Sequence, residues 1–190
     1  MDFTELNNLS TEYNSNKKFN EVDYYEEVFD IQYTHETTAM EGNTLTLVQT
    51  KLVLQDKISV GGKSMREVYE VTNHSAAFGY VKECVKHKKE LNEEIVLTIY
   101  KILMDRILYG GNYRQVNVMI GGSAHEPPVS EKVPAAMKLF CEELFDKNRI
   151  CGMSEGIHAI ELAAWTHAKF VNIHPFQDGN TTIGHQLKTA

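Results

Sequence analysis

The sequence is short of the features that mark secreted, membrane-spanning or nucleic-acid-binding proteins. It has three cysteines, Cys84, Cys141 and Cys151, an odd count with no Cys-x-x-Cys pair. Three free, mostly buried thiols are expected, rather than a disulfide framework or a zinc ribbon. No apolar run comes near the ~18 residues that suggest a membrane span. The first residues, MDFTELNNLSTEYNSNKKF, lack the apolar core of a secretory leader. The expectation is a cytoplasmic protein with no membrane partner. Cations are also scarce: 19 Lys and Arg stand against 26 Asp and Glu, for a net charge of −7. That balance excludes a phosphate backbone as the main partner, because nucleic-acid binding needs concentrated basic residues. The one dense basic run, VKHKKE at 85–90, reads as a solvated helix end. The four prolines all lie at 127 or beyond, so nothing in the first 126 residues interrupts a helix.

What is present is helical periodicity. The length of 190 residues suits one domain with a short appendage. Helices are predicted over 22–40, stopped by Gly42, and over 46–58, ended by Gly61-Gly62. Ser64 and Glu67 form a plausible capping box for a helix reaching Val85. Asn92 caps the next, with Glu93 and Glu94 in its first turn. VPAAMKLFCEELFDKN and SEGIHAIELAAWTHAKFVNI give two more, the second with Ser154 as its cap. Between them, YRQVNVMIGGSAHEPP (113–128) alternates Val116, Val118 and Ile120 with polar residues before Gly121-Gly122. It reads as a short β-hairpin or extended flap in an otherwise all-α domain.

The densest chemistry lies in HPFQDGN, His174 to Asn180. A helix over about 155–172 should end before His174-Pro175, and Gly179-Asn180 should open another. A loop entering a helix N-terminus offers free N–H groups and a positive dipole end to phosphate. Asp178 is a hard oxygen ligand suited to Mg²⁺, and His174 is the natural proton acceptor. Base, metal carboxylate and anion cradle together suggest phosphoryl or nucleotidyl transfer. A capped turn with a packed histidine fits the same residues. Other candidates are weaker. The spacings of His158, His167 and His174 fit no usual zinc pattern. His167 reads as a packed helix histidine behind the loop. Ser123 and Ser154 lack a nucleophile elbow, and nothing suggests a base beside Cys151.

HPFQDGN resembles the first half of the signature of the Fic (filamentation induced by cyclic AMP) family, His-Pro-Phe-x-Asp/Glu-Gly-Asn-Gly-Arg-x-x-Arg. TTAMEGNTLTL (37–47) resembles that family's inhibitory motif, Ser/Thr-x-x-x-Glu-Gly/Asn. The 113–128 segment resembles its target-docking flap, and Glu70, Asn73 and Ala77 fit its Glu-x-x-Asn-x-x-x-Ala helix. The resemblance implies a Fic/Fido helical bundle with a short β-hairpin flap. Residues 1–42 would be an N-terminal segment with an inhibitory helix, and 43–190 the Fic core. It implies transfer of AMP from ATP to a hydroxyl of a target protein. His174 would be the base and Asp178 the Mg²⁺ ligand. Gly179 and Asn180 would bind phosphate, Asn180 also through its side chain, and Pro175 and Phe176 would anchor the loop. Met119, Ile120, Gly121, Gly122 and Ser123 would pair with the target by strand addition. Thr37, Glu41 and Gly42 would form the inhibitory element, Thr37 and Glu41 sharing one helix face.

After Asn180 the resemblance stops. Where the family has Gly-Arg-x-x-Arg, this chain has Thr181, Thr182, Ile183, Gly184 and His185. Each missing arginine represents charge-assisted bonds worth roughly 1.5–3 kcal/mol. Thr181, Thr182 and His185 are left as phosphate-site residues, and a protonated His185 is a candidate partner for Glu41. The family's last helix is expected to be cut short here, leaving core surface open. Two functions follow: an autoinhibited protein adenylyltransferase, or a catalytically impaired nucleotide-binding or protein-interaction module of the same fold. The second suits a homo-oligomer.

Overall fold

The structure, a computed structural model, describes residues 3–16, 19–153 and 156–188. In order these form α1 (Thr4–Asn16), α2 (Phe19–Met40), α3 (Leu47–Leu54), α4 (Met65–Lys86), α5 (Glu93–Leu103), a 3-10 turn (Ser130–Lys132), α6 (Val133–Arg149), α7 (Ala159–Ile173) and α8 (Asn180–Leu187). Local chemistry sets many of the boundaries. Ser64 and Glu67 make the reciprocal capping box that opens α4, and the Asn92 side chain accepts from the Ile95 N–H to open α5. Helix α7 begins at His158, whose ring caps the Ile160 N–H. Ser154, the expected cap, lies outside the described residues. Helix α3 ends at Leu54, four residues before its predicted end.

Helix α5 is the most regular example of core formation. Ile95, Val96, Ile99, Tyr100 and Leu103 lie on one face and are all buried. They pack with Phe140 and Met137 of α6, Phe170 of α7 and Ile183 of α8 in a single cluster. Helix α2 lies on the far side of α4. An aromatic group of Phe29, Tyr33, His74 and Phe78 joins the two, as do the Thr34–His74 hydrogen bond and the Lys82–Asp30 ion pair.

The end of α2 is a Schellman motif. The Gly42 N–H donates to the Ala39 carbonyl at 3.0 Å and the Asn43 N–H to the Thr38 carbonyl at 3.1 Å. Gly42 takes φ +93°, a left-handed conformation that a Cβ disfavours. The turn delivers Asn43 to α4. Its side chain donates to the Glu67 carbonyl and to a Glu70 carboxylate oxygen, and accepts from the Leu45 N–H. Thr46 then caps α3 in a capping box with Gln49. The string EGNTLTL is therefore a stop, a dock and a start in succession.

The β-hairpin expected within 113–128 does not form, and no strand occurs among the described residues. The segment is extended coil with one turn, closed by the Ser123 N–H on the Ile120 carbonyl at 3.2 Å. The reason lies in the return arm. It contains Pro127 and Pro128, which donate no ladder hydrogen bonds, and lacks the alternation of the outgoing arm. Arg114 holds the segment instead. Its buried guanidinium donates to the carbonyls of His174, Val116 and Pro128. At the other end of the bundle, a groove of about 380 Å³ runs beside Leu187, lined by Val81, Ile99, Leu144 and Leu162.

Candidate active site

The 174–180 loop is shaped by its own sequence. Helix α7 ends at Ile173, and His174 turns into the left-handed region at φ 50°, ψ 58°, with its N–H still on the Phe170 carbonyl. Pro175 then prevents any continuation. Phe176 drops into the core, fully buried. Its ring stacks on Tyr100 with centroids 3.8 Å apart and meets Tyr113 and Phe170 at 5.8 and 6.2 Å. Asn180 closes the loop from the other side. Its Oδ1 accepts from the Phe176 N–H and its Nδ2 donates to the Phe176 carbonyl, both at 2.9 Å. Gly179 sits at φ +73°, where an added Cβ would lie 2.8 Å from the Met104 methyl. The amide side chain of Asn180 is thus engaged inside the loop, not turned toward a phosphate position.

His174 is half-buried, and its Nδ1 is enclosed without a well-formed hydrogen bond. Burial lowers its pKa, as do the charges of Arg114 and His125, while the Val171 carbonyl opposes them. The ring is accordingly neutral near pH 7, with Nε2 as the nitrogen left to accept a proton. The Arg114 N–H on the Pro175 carbonyl, at 2.9 Å, and its guanidinium on the His174 carbonyl, at 2.8 Å, tie the flap to this loop. His125 adds a second tie through the Asn172 carbonyl at 2.8 Å.

Asp178 and Glu41 face each other across the mouth of α8. Asp178 accepts from the Gly179 N–H through Oδ1 at 2.8 Å and from Arg66 Nη2 through Oδ2 at 2.7 Å. Glu41, the last residue before the Gly42 turn, meets the Thr181 hydroxyl and the Thr182 backbone N–H. Its carboxylate therefore lies against one free amide of the first turn of α8, where an anion is best placed. Burial is the main cause of its raised pKa, with Asp178 and Glu70 adding repulsion and the Thr181 and Thr182 donors opposing. Thr37, one turn earlier, is buried beside Tyr33, whose hydroxyl is enclosed without a well-formed hydrogen bond. Glu41, Arg66, Glu70, His74, Asp178 and Thr182 surround a cavity of about 60 Å³.

His185 does not meet Glu41. It stacks on His167 with ring centroids 5.1 Å apart, and burial, Lys188 and His167 lower its pKa. A neutral, stacked imidazole cannot take over the work of an arginine. The flap residues behave differently from the rest. Met119 is 93% exposed, and Gly121, Gly122 and Ser123 are exposed beside it.

Residues 90–188, just over half the chain, match the model of the Fic/DOC family. The chain belongs to that family. It is 34% identical over 162 residues to the protein adenylyltransferase Fic of Nematostella vectensis, a match that covers 84% of this chain and 36% of that protein. The protein adenylyltransferase Fic of Drosophila ananassae is 32% identical over 151 residues, covering 78% and 29% respectively. The chain thus spans about a third of the length of these curated relatives. Among solved structures, a Fic-domain-containing signaling protein of Bacteroides thetaiotaomicron superposes with a TM-score of 0.88 at 24% identity, covering 97% of this chain and 70% of that one. Fic-1 of C. elegans superposes with a TM-score of 0.83 at 26% identity, covering 97% and 54%.

In this Fic domain the loop meets the flap through Arg114 and the end of α2 through Glu41. Two residues of the site carry no signal of their own in the sequence. Arg66 reaches Asp178 across 112 positions, and Arg114 reaches His174 across 60. The Tyr-Arg at the head of the flap motif was the one hint of the second.

Proposed function

We propose that this chain is a protein adenylyltransferase that moves AMP from ATP to a hydroxyl group of a target protein, held back by the end of its own α2. The observation that carries the reading is the Glu41 carboxylate on the first turn of α8, beside Asp178. An acid placed on those amides competes with a phosphate for them. In the transfer, His174 Nε2 accepts the proton of the target hydroxyl. The hydroxyl oxygen attacks the α-phosphorus, the bond to the β-phosphate oxygen breaks, and pyrophosphate leaves. The amides at the start of α8 stabilise charge on the α-phosphate, and positioning supplies much of the rest.

Asp178 fits Mg²⁺: one oxygen is braced by the Gly179 N–H, and the other is paired only with a side chain that is 60% exposed. No cluster of three or more metal-binding side chains occurs among the described residues. The ion would come with the phosphates, whose charge it neutralises, as Mg²⁺ usually does. The target would lie along the exposed flap at Met119–Ser123, where the extended backbone is open to strand addition. The three free thiols suit a reducing cytoplasm.

Two observations favour a second reading, a nucleotide-binding or interaction module without transfer. The cavity of about 60 Å³ is far below the roughly 300 Å³ of a nucleotide-sized pocket, and the motif arginines are absent. Incubation with Mg²⁺, cell lysate and ATP radiolabelled at the α-phosphate separates the two. The adenylyltransferase reading expects label on protein, lost in His174→Ala. Bound nucleotide with no transferred label supports the module.

A further inference from the structure

The signature's two arginines are replaced by Thr182 and by the stacked His185, so the cation that faces the phosphates must come from elsewhere in the fold. Among the described residues that line the cavity, the one Lys or Arg is Arg66, in the first turn of α4. Its guanidinium already grips two carboxylates at the cavity mouth, Nη2 on Asp178 at 2.7 Å and Nε on Glu70 at 2.9 Å. Two carboxylates, Glu70 and Asp178, share this single guanidinium, and a third, Glu41, lines the same cavity. We propose, on the reading that this site takes ATP, that Arg66 is the phosphate-gripping arginine of this chain, standing in for the pair the signature lacks.

The placement suits the task. A group within hydrogen-bonding distance of Asp178 is also next to any phosphate that lies beside Asp178 at the mouth of α8. The backbone under Arg66 is fixed, because the Ser64–Glu67 capping box and the Asn43 side chain pin the start of α4. The side chain itself is 60% exposed and free to turn. As phosphates enter, the planar fork exchanges a carboxylate for phosphate oxygens, a geometry it matches equally well. The exchange leaves Asp178 open. Arg66 also connects the site to α2. Glu70 accepts from Arg66 with one oxygen and from Asn43 with the other. Asn43 follows directly on the Glu41-Gly42 turn, so the hydrogen bonds that hold Arg66 lead back to the residue next to that turn.

The test is titration calorimetry of MgATP and MgADP, with ligand-observed NMR of adenosine, on the parent, Arg66→Ala and Arg66→Lys, each with and without Glu41→Gly. Arg66→Ala is expected to bind MgATP about 10- to 100-fold more weakly, to leave adenosine binding unchanged, and to keep the parent's melting temperature. Arg66→Lys falls between the two. Equal weakening of adenosine and MgATP would overturn the assignment in favour of a structural role. Unchanged or tighter MgATP binding in Arg66→Ala would overturn it too, leaving Arg66 as a plug on Asp178. Absence of MgATP binding by the parent and by Glu41→Gly alike would overturn the adenylyltransferase reading together with this proposal.

Discussion

At the scale of residues, the motif loop is held by side chains whose partners are other parts of the protein. Asn180 spans the Phe176 peptide groups, Phe176 is stacked on Tyr100, and Arg114 caps the end of α7 at the His174 carbonyl. His174 rests on this frame. Removing the Phe176 ring should cost about 3–5 kcal/mol, the usual range for a fully buried phenylalanine. Urea unfolding of Phe176→Ala should show a lower midpoint at an unchanged slope. The His174-Pro175 break, Gly42, Ser64 and Asn92 were legible in the sequence because each follows a rule that acts within a few residues: an X-Pro break, a helix stop, two caps; Phe176 as an anchor came only from the family resemblance. Arg66 and Glu70 were not legible as members of the site. Their meaning depends on Asp178, which lies in the loop before α8 and is brought close only by the packing of α4 beside α8.

At the scale of elements, periodicity located α2, α4, α5, α6 and α7, while two features escaped it. Helix α1 has few apolar residues and offers almost no pattern. The flap shows alternation without a ladder, because alternation reports which residues face inward and not whether a neighbouring strand exists. The contact of α2, α4 and α8 also makes a prediction about acid. His74 on α4 is fully buried, bonded to Thr34 of α2 and, through its carbonyl, to Gln186 of α8. Burial, aided by His185, pushes its pKa down to about 4. An unfolded histidine takes up its proton near pH 6.5. The stability held by the neutral ring is therefore present above about pH 6.5 and is lost as pH falls toward 4, roughly 3 kcal/mol in all. Urea midpoints at pH 7, 5.5 and 4 should fall for the parent. In His74→Gln the fall should be shallower, because the remaining histidines still titrate.

At the scale of the whole molecule, the fold sets two ends of the chain against one helix terminus. The Schellman turn that ends α2 and the αL glycine that opens α8 meet at the same amides, and Glu41 lies between. In the sequence this meeting was visible only through resemblance, since Thr37 to Leu47 and His174 to Asn180 are far apart and neither stretch names the other. The partner of the glutamate differed from expectation. With no arginine to receive it, the carboxylate turned to Thr181 and Thr182, the donors that a helix start always offers. On the proposed function, the chain needs no signature arginine for transfer once Glu41 is removed. The most direct test is the rate at which label passes from α-labelled MgATP to protein in the parent, Glu41→Gly, and Glu41→Gly with His174→Ala. The account predicts a rate at least about tenfold above the parent in Glu41→Gly, and none in the double variant. Nucleotide bound by Glu41→Gly with no label transferred would contradict it.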